Sequence, residues 1–301
     1  MNVLEVKNLK KSFKKTEVLK GVTFNVAKGE ILGFIGPNGS GKSTTMKCIA
    51  TLLYADEGLV KICGYDNIKE RSLALNEMSV QIESPGLYYA LSGLDNLKLF
   101  AKLKNVDKER VNEVIDFIGI GQDLKRKVKD YSMGMKQRLA LGITILNKPK
   151  FIMLDEPTNG LDPAGVINLR KTIFKLRDQG TTFLISSHQL NEIEKICDRI
   201  IAINDGKVSD ISHHLQALQT YRLIVEDSKK AELILKDKDY INEFSKEKDS
   251  FKISFNDGLG LNKLLDDLRQ ASIHIFEISK EVVDIEEIYL DIYGEDYEKS
   301  A

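Results

Sequence analysis

The sequence predicts an α/β protein built on a parallel sheet with crossover helices, and three observations lead to that class. Four short runs are almost wholly apolar: "ILGFIG" (31–36), "FIMLDE" (151–156), "TTFLISS" (181–187) and "RIIAIN" (199–204). Such runs suit strands covered on both faces. Amphipathic helical stretches such as "PAGVINLRKTIFKLRDQG" (163–180) separate one run from the next. Strand–helix alternation of this kind implies parallel pairing. The third observation is a middle section that is helical in period, with no convincing strand.

Taken in order, "VTFNVA" (22–27) alternates Val22, Phe24 and Val26 with polar Thr23 and Asn25, as a half-buried antiparallel strand does. The "KGE" turn leads into the first buried run. From 91 to 147, "LSGLDNLKLFAKLKN", "KERVNEVIDFIGI" and "MGMKQRLALGITIL" carry the 3.6-residue period of helices. They form a helical insert, about 84–147, inside a domain spanning 1–210. From 221 to 301 the pattern changes to α+β. "YRLIVED", "FKISFND" and "IHIFEIS" read as strands; "KKAELILKD", "LGLNKLLDDLRQ" and "DIEEIYLDIYG" read as helices. About eighty residues can bury a small core of their own, so this is an accessory subdomain, either a stabilising cap or a sensor.

Composition narrows the classes further. A chain of 301 residues suits one large core with a smaller one appended. Its 44 Lys and Arg against 45 Asp and Glu provide no general basic field, so no nucleic acid is expected as a partner. Cys48, Cys63 and Cys197 are widely spaced without a CxxC pair, and read as reduced thiols of a cytoplasmic protein. The N-terminal "MNVLEVKNLKKSF" has no apolar signal core. No apolar run approaches the ~20 residues that span a bilayer, so no direct membrane insertion is expected.

The chemistry begins at "GPNGSGKST" (36–44). Gly36, Gly39 and Gly41 let the backbone curl through Pro37, Asn38 and Ser40, turning N–H groups inward around a phosphate chain. Lys42 carries positive charge to the β- and γ-phosphates, and Ser43, next to Thr44, can ligate Mg²⁺ through its hydroxyl. The pattern G-x-x-x-x-G-K-[ST] here follows a buried strand and opens a helix, the context that gives it meaning. Asp155 ends the "FIMLD" strand and is a second candidate for Mg²⁺. Glu156, beside it, is placed to polarise an attacking water. His188 ends the "TTFLISS" strand and is a candidate hydrogen-bond donor to the γ-phosphate. A second helix start, "YSMGMKQRLALG" (131–142), puts Ser132 at an N-cap ahead of Gly134. It has no second phosphate loop to complete.

Together these motifs resemble the nucleotide-binding subunit of ATP-binding cassette (ABC) transporters over roughly 1–210. The motifs that carry the resemblance are "GPNGSGKST", the signature "YSMGMKQR", "FIMLDEPTNGLDP" and "SSH". The resemblance implies a RecA-like P-loop core, an antiparallel β subdomain, and ATP with Mg²⁺ as ligands. It implies that Phe13 stacks on adenine and that Asp162, in the loop after the magnesium-binding strand, reaches the nucleotide. It also accounts for the second helix start. In this family the signature faces the nucleotide held by a partner's phosphate loop, so Ser132 and Gly134 complete a site across a dimer interface.

The implied assembly is a dimer with an identical or paralogous ATP-binding subunit, docked on an integral membrane permease at the inner face of the cell membrane. Met133 and Met135 depart from the commoner Gly and Gln of the signature, and Glu83 stands where the family places a glutamine that meets metal and water. "IESPG" with "YSMGMKQRL" resembles the bacitracin- and lantibiotic-exporter branch, which implies export of antimicrobial or amphipathic peptides. Lipid or drug export is the alternative. A soluble non-transport ABC ATPase is disfavoured by a single cassette without heptad runs.

Overall fold

In the computed structural model, which describes residues 1–82, 86–188, 193–211, 220–248, 250–256 and 259–280, the chain opens with a long antiparallel hairpin. Its strands are β1 (Asn2–Phe13) and β2 (Thr16–Ala27). Leu4, Val6 and Leu9 of β1 are all buried, although Leu9 falls on the opposite parity from the other two. A register shift between Val6 and Leu9, with Asn8 at φ 49°, restores Leu9 to the core face. A single extra residue has that effect because strand side chains alternate with period two.

β3 (Ile31–Ile35) follows and is buried at every position. The chain then runs through α1 (Lys42–Ile49), β4 (Glu57–Ile62), β5 (Tyr65–Asp66), α2 (Arg71–Asn76) and β6 (Met78–Gln81). Strands β2, β1, β4 and β5 form one antiparallel sheet in that order. The helical insert comes next: α3 (Gly93–Leu103), α4 (Lys108–Ile118) and α5 (Met133–Thr144). Ser92 and Asp107 cap the first two by accepting from the N–H groups of Asp95 and Arg110.

β7 (Phe151–Asp155), α6 (Pro163–Asp178), β8 (Thr182–Ser187), β9 (Arg199–Asn204) and β10 (Lys207–Asp210) complete the first unit, Met1–Asp210. Proline at the first turn of α6 begins that helix where a missing N–H costs nothing. The second sheet has the order β10-β9-β3-β8-β7-β6, parallel except at β10. The four apolar runs are therefore its four central strands, and β6 is an edge strand that periodicity did not reveal. β7 and β8 are buried along their whole length, so the apolar character of these runs reflects cover on both faces.

The second unit, Ile211–Ala301, holds a separate sheet, β11 (Thr220–Val225), β12 (Ile241–Lys246), β13 (Phe251–Phe255) and β14 (Ile275–Lys280), ordered β12-β13-β11-β14. α7 (Ser228–Lys236) and α8 (Gly260–Gln270) contribute Leu235, Leu264 and Leu268 to a core with Leu223, Phe251 and Ile253. Tyr240, largely buried, donates its hydroxyl to Asp267; burial pushes that phenol above its ordinary range. The helix expected over 284–294 lies outside the described residues. β12 has no counterpart among the sequence expectations, because "INEFSK" buries no position fully.

Asn67 ties the antiparallel sheet to the helix behind the phosphate loop. Only 2% exposed, it donates from Nδ2 to the carbonyls of Cys48 and Ile49, at 3.1 and 3.0 Å, at the end of α1. Removing a buried donor orphans its acceptors, at a cost of roughly 1–3 kcal/mol. Asn67→Ala is expected to lose stability in that range, read from the urea midpoint of the full chain. A loss below about 0.5 kcal/mol would mean that water replaces the side chain at both carbonyls.

Candidate functional site

Adjacent parallel strands bring the site together. β8 lies between β3 and β7, with Ile35 opposite Ser187 and Ser186 opposite Asp155. The C-terminal tips of these three strands carry the glycine-rich loop, the acidic pair and His188. Ligands of open α/β sheets bind at such tips.

The loop leads into a helix prepared for an anion. α3, α4, α5 and α6 all begin with a side-chain cap, from Ser92, Asp107, Ser132 and Asp162 respectively. α1 begins behind Gly41 with no capping side chain and no acidic residue in its first turn. Its N-terminal amides and positive dipole end favour negative charge. Gly41 sits at φ 111°, and a Cβ there would come within 2.8 Å of Leu19. At Gly36 a Cβ would lie 2.4 Å from the Ile203 carbonyl oxygen, so no other residue fits the loop's path. Pro37 and Thr44 are half-buried, Asn38 and Gly39 are exposed, and Ser40 is buried.

Lys42 is 6% exposed, and its ammonium donates to the carbonyls of Gly36 at 2.5 Å and Pro37 at 3.1 Å. Burial draws its pKa below the ordinary lysine value, while the charges of Glu156 and Asp155 act in the opposite direction. A cation held in this way gains from any phosphate that enters the loop.

Asp155, also 6% exposed, accepts at Oδ2 from the Ser43 hydroxyl, 3.2 Å away, and at Oδ1 from the Ser186 hydroxyl. Hydroxyl and carboxylate oxygens are the hard donors that Mg²⁺ takes. Among the described residues no group of three or more His, Cys, Asp or Glu could hold a metal by itself. The donor set therefore fits a cation that draws most of its ligands from water and substrate phosphates, as Mg²⁺ does.

Glu156 adopts φ 48°, a left-handed conformation that few non-glycine residues take. Its N–H is held by Ser186, through Oγ at 3.0 Å and the carbonyl at 3.2 Å. Its Oε2 lies 2.8 Å from His188 Nδ1. The Glu156 carboxylate thus faces the histidine. Ser186 has no role in the sequence reading. Its signal was a hydroxyl inside an apolar run, next to the strand tip that "SSH" marks.

The remaining candidates lie in other places. Phe13 ends β1 with its ring 45% exposed, and the Lys11 ammonium sits 5.7 Å from the ring centroid. An exposed ring at a strand end can stack on a flat ligand. Ser132 caps α5, accepting from the Met135 N–H at 3.3 Å. Among the described residues no hydrogen bond joins Ser132 or Gly134 to the phosphate loop. They line instead a cavity of about 430 Å³ with Met133, Gly160 and Asp162. Asp162 spends one oxygen on capping α6, at 2.8 Å from the Gly165 N–H. Glu83 lies outside the described residues.

A family model described as ABC transporter matches residues 19–159. The chain is 36% identical over 303 aligned residues to YhcH of Bacillus subtilis, an uncharacterized ABC transporter ATP-binding protein, covering 99% of this chain and 98% of that one. It is 38% identical to the lantibiotic transport ATP-binding protein SrtF of Streptococcus pyogenes, over 74% of this chain and 99% of the relative. Identity to the bacitracin transport ATP-binding protein BcrA of Enterococcus faecalis is 36%, over 86% of each. Among solved structures, an ATP-binding subunit of an ABC transporter superposes with a TM-score of 0.66 at 29% identity, covering 72% of this chain and 92% of that one. The ATP-binding cassette MJ0796, dimeric in a post-hydrolysis state with ADP and Pi, gives 0.62 at 27% identity, covering 68% and 96%. A phosphate loop and an acidic pair at strand tips on either side of β8 define a nucleotide-hydrolysing α/β protein. This chain belongs to the ATP-binding proteins of ABC transporters, and it is an ATPase.

Ser186 holds both acidic residues, one through the Asp155 carboxylate and the other through the Glu156 backbone. Hydrogen bonds that orient a metal-binding carboxylate are worth roughly 10–100-fold in metal affinity or activity. Ser186→Ala is expected to lower steady-state ATPase activity by about that factor. Rates measured at saturating ATP across a Mg²⁺ titration check it, and a rate within twofold of wild type would count against the role.

Proposed function

We propose that this ATPase powers a separate membrane permease that exports antimicrobial or other amphipathic peptides. It works as a dimer with a second ATP-binding subunit, identical or paralogous. The cargo rests on one observation above the rest: the likeness to lantibiotic and bacitracin transport subunits, which covers 74% and 86% of the chain. Among the described residues no helix is long and apolar enough to cross a membrane; in this reading the subunit reaches the inner membrane face through its permease.

Within the site each residue has a task. Lys42, the loop amides from Gly36 to Ser43, and the start of α1 bind the phosphates. Phe13 takes the adenine. Ser43 and Asp155 hold Mg²⁺, which when bound neutralises charge on the β- and γ-phosphates. Glu156 orients the attacking water and accepts its proton. His188, through Nδ1, fixes the Glu156 carboxylate, and its other ring nitrogen is assigned to the γ-phosphate. Ser132 and Gly134 serve the nucleotide bound by the partner subunit, which is why α5 begins as a second anion-binding helix start.

An apolar groove of about 250 Å³ supports permease docking. Val80, Ile82, Leu87, Phe100 and Ile143 line it between β6, α3 and α5. Among its lining residues Leu52 is 65% exposed. Large apolar side chains gathered at a surface cleft mark an interaction site.

Glu156→Gln keeps the shape of the side chain and removes the base. ATP hydrolysis is expected to fall roughly 10²–10⁴-fold while nucleotide binding persists. Size-exclusion chromatography with ATP should then show a trapped dimer. Host cells carrying only this variant should become sensitive to bacitracin- or lantibiotic-type peptides; sensitivity to lipophilic drugs alone would redirect the cargo. Unchanged turnover would remove Glu156 from the role.

The shared site gives a second expectation. Ser132→Arg puts a bulky cation where the partner's γ-phosphate docks, so hydrolysis is lost while monomeric ATP binding stays. Mixing it with Lys42→Ala concentrates both lesions at one interface of a mixed dimer and leaves the other intact. Activity should return in part. No recovery, once mixed dimers are shown to form, would count against two half-sites in each chain.

A further inference from the structure

The groove between β6 and the helical insert contains one polar group that its apolar lining does not explain. Gln81, the last residue of β6, is 7% exposed and lines the groove. Its Nε2 donates to Gln137 Oε1 at 3.0 Å, and Gln137 Nε2 donates to the Pro157 carbonyl at 3.1 Å. Gln81 Oε1 is buried without a partner among the described residues.

The direction of this chain is fixed from its inner end. A carbonyl can only accept, so Pro157 obliges Gln137 to turn its amide nitrogen inward. Gln137 then presents an oxygen to Gln81, which must answer with its own nitrogen. The last oxygen, Gln81 Oε1, is left buried beside the groove lining with nothing to accept from among the described residues. A buried acceptor in that state costs roughly 1–3 kcal/mol, and one donor recovers it.

The inner end of the chain reaches the catalytic strand. Pro157 follows Glu156, whose left-handed backbone persists only while its surroundings hold it. Ser186 grips the Glu156 N–H on one side. On the other side Gln137 grips the next carbonyl, and the proline ring removes one of the torsions between them. Glu156 is thus clamped from both directions, and one clamp is continuous with the groove.

We infer that the permease segment entering this groove carries a hydrogen-bond donor for Gln81 Oε1, and that Gln81 is the positioning residue through which docking tightens the backbone at Glu156. The inference rests on the transport reading above. The partner it fits is an apolar helical segment with a single donor, a hydroxyl, an amide or an exposed N-terminal N–H, at the point that meets Gln81. Docking then completes a chain of three hydrogen bonds in a low-dielectric setting, where each strengthens the next.

The test uses the subunit with its permease in lipid vesicles and the subunit alone, measuring kcat and KM for ATP. Gln81→Met keeps the volume and removes both hydrogen-bonding atoms. The ratio of coupled to uncoupled kcat is expected to fall about five- to tenfold, the equivalent of one buried hydrogen bond, with KM for ATP unmoved. Gln137→Met also frees the Pro157 carbonyl, so it should lower the uncoupled rate too, and adding Gln81→Met to it should cost the ratio nothing more, because both break one chain. For Gln81→Met, a ratio within twofold of wild type or an equal loss in the coupled and uncoupled rates would overturn the inference, as would a further fall of the ratio on adding Gln81→Met to Gln137→Met. A wild-type subunit that its permease does not stimulate would overturn the transport reading itself, and this inference with it.

Discussion

The Asp155 carboxylate accepts from Ser43 at one oxygen and from Ser186 at the other. The first contact comes from the start of α1 and the second from β8, so one buried side chain locks the phosphate loop against two strands. Everything else in the site is referred to it. Ser186 also fixes the amide of Glu156, the proposed base. Lys42 sits among the same groups, and its positive charge offsets two neighbouring carboxylates that would otherwise repel each other.

That lock is possible because β3, β8 and β7 are adjacent and parallel. Parallel strands end on the same side of a sheet, so three tips distant in sequence become neighbours. Antiparallel pairing of any one would carry its tip to the opposite edge. The apolar runs that force these strands into the middle of the sheet thereby also bring the chemistry together. Burial and function share one cause here.

The helix starts differ in how they are capped. The starts at Ser92, Asp107 and Asp162 are capped by their own side chains. The α1 start is open, which suits a phosphate held within the chain. The α5 start is intermediate, because Ser132 caps it through a 3.3 Å contact while remaining exposed. A hydroxyl in that position can keep its cap and still donate its hydrogen to a second acceptor.

The sequence by itself determined the α/β class, the strands that end in the phosphate loop and acidic pair, and the residue types that nucleotide chemistry needs. Those features are local: a run of apolar residues, a glycine spacing, a carboxylate at a strand tip. It did not reveal β1, because the shift at Asn8 breaks the alternation that marks a half-buried strand. Nor did it reveal β12, whose residues are never fully covered, or the edge strand β6. Ser186, Gln81 and Gln137 escaped notice for a different reason. Serine and glutamine at a strand end or in a helix carry no pattern of their own. Their meaning comes from the acceptors they face, and Asp155 and Pro157 face them only once β6, β7, β8 and α5 have packed. Hydrogen-bond partners separated by 20 to 56 positions in the chain are a property of the tertiary structure, since only packing decides which buried donor meets which acceptor.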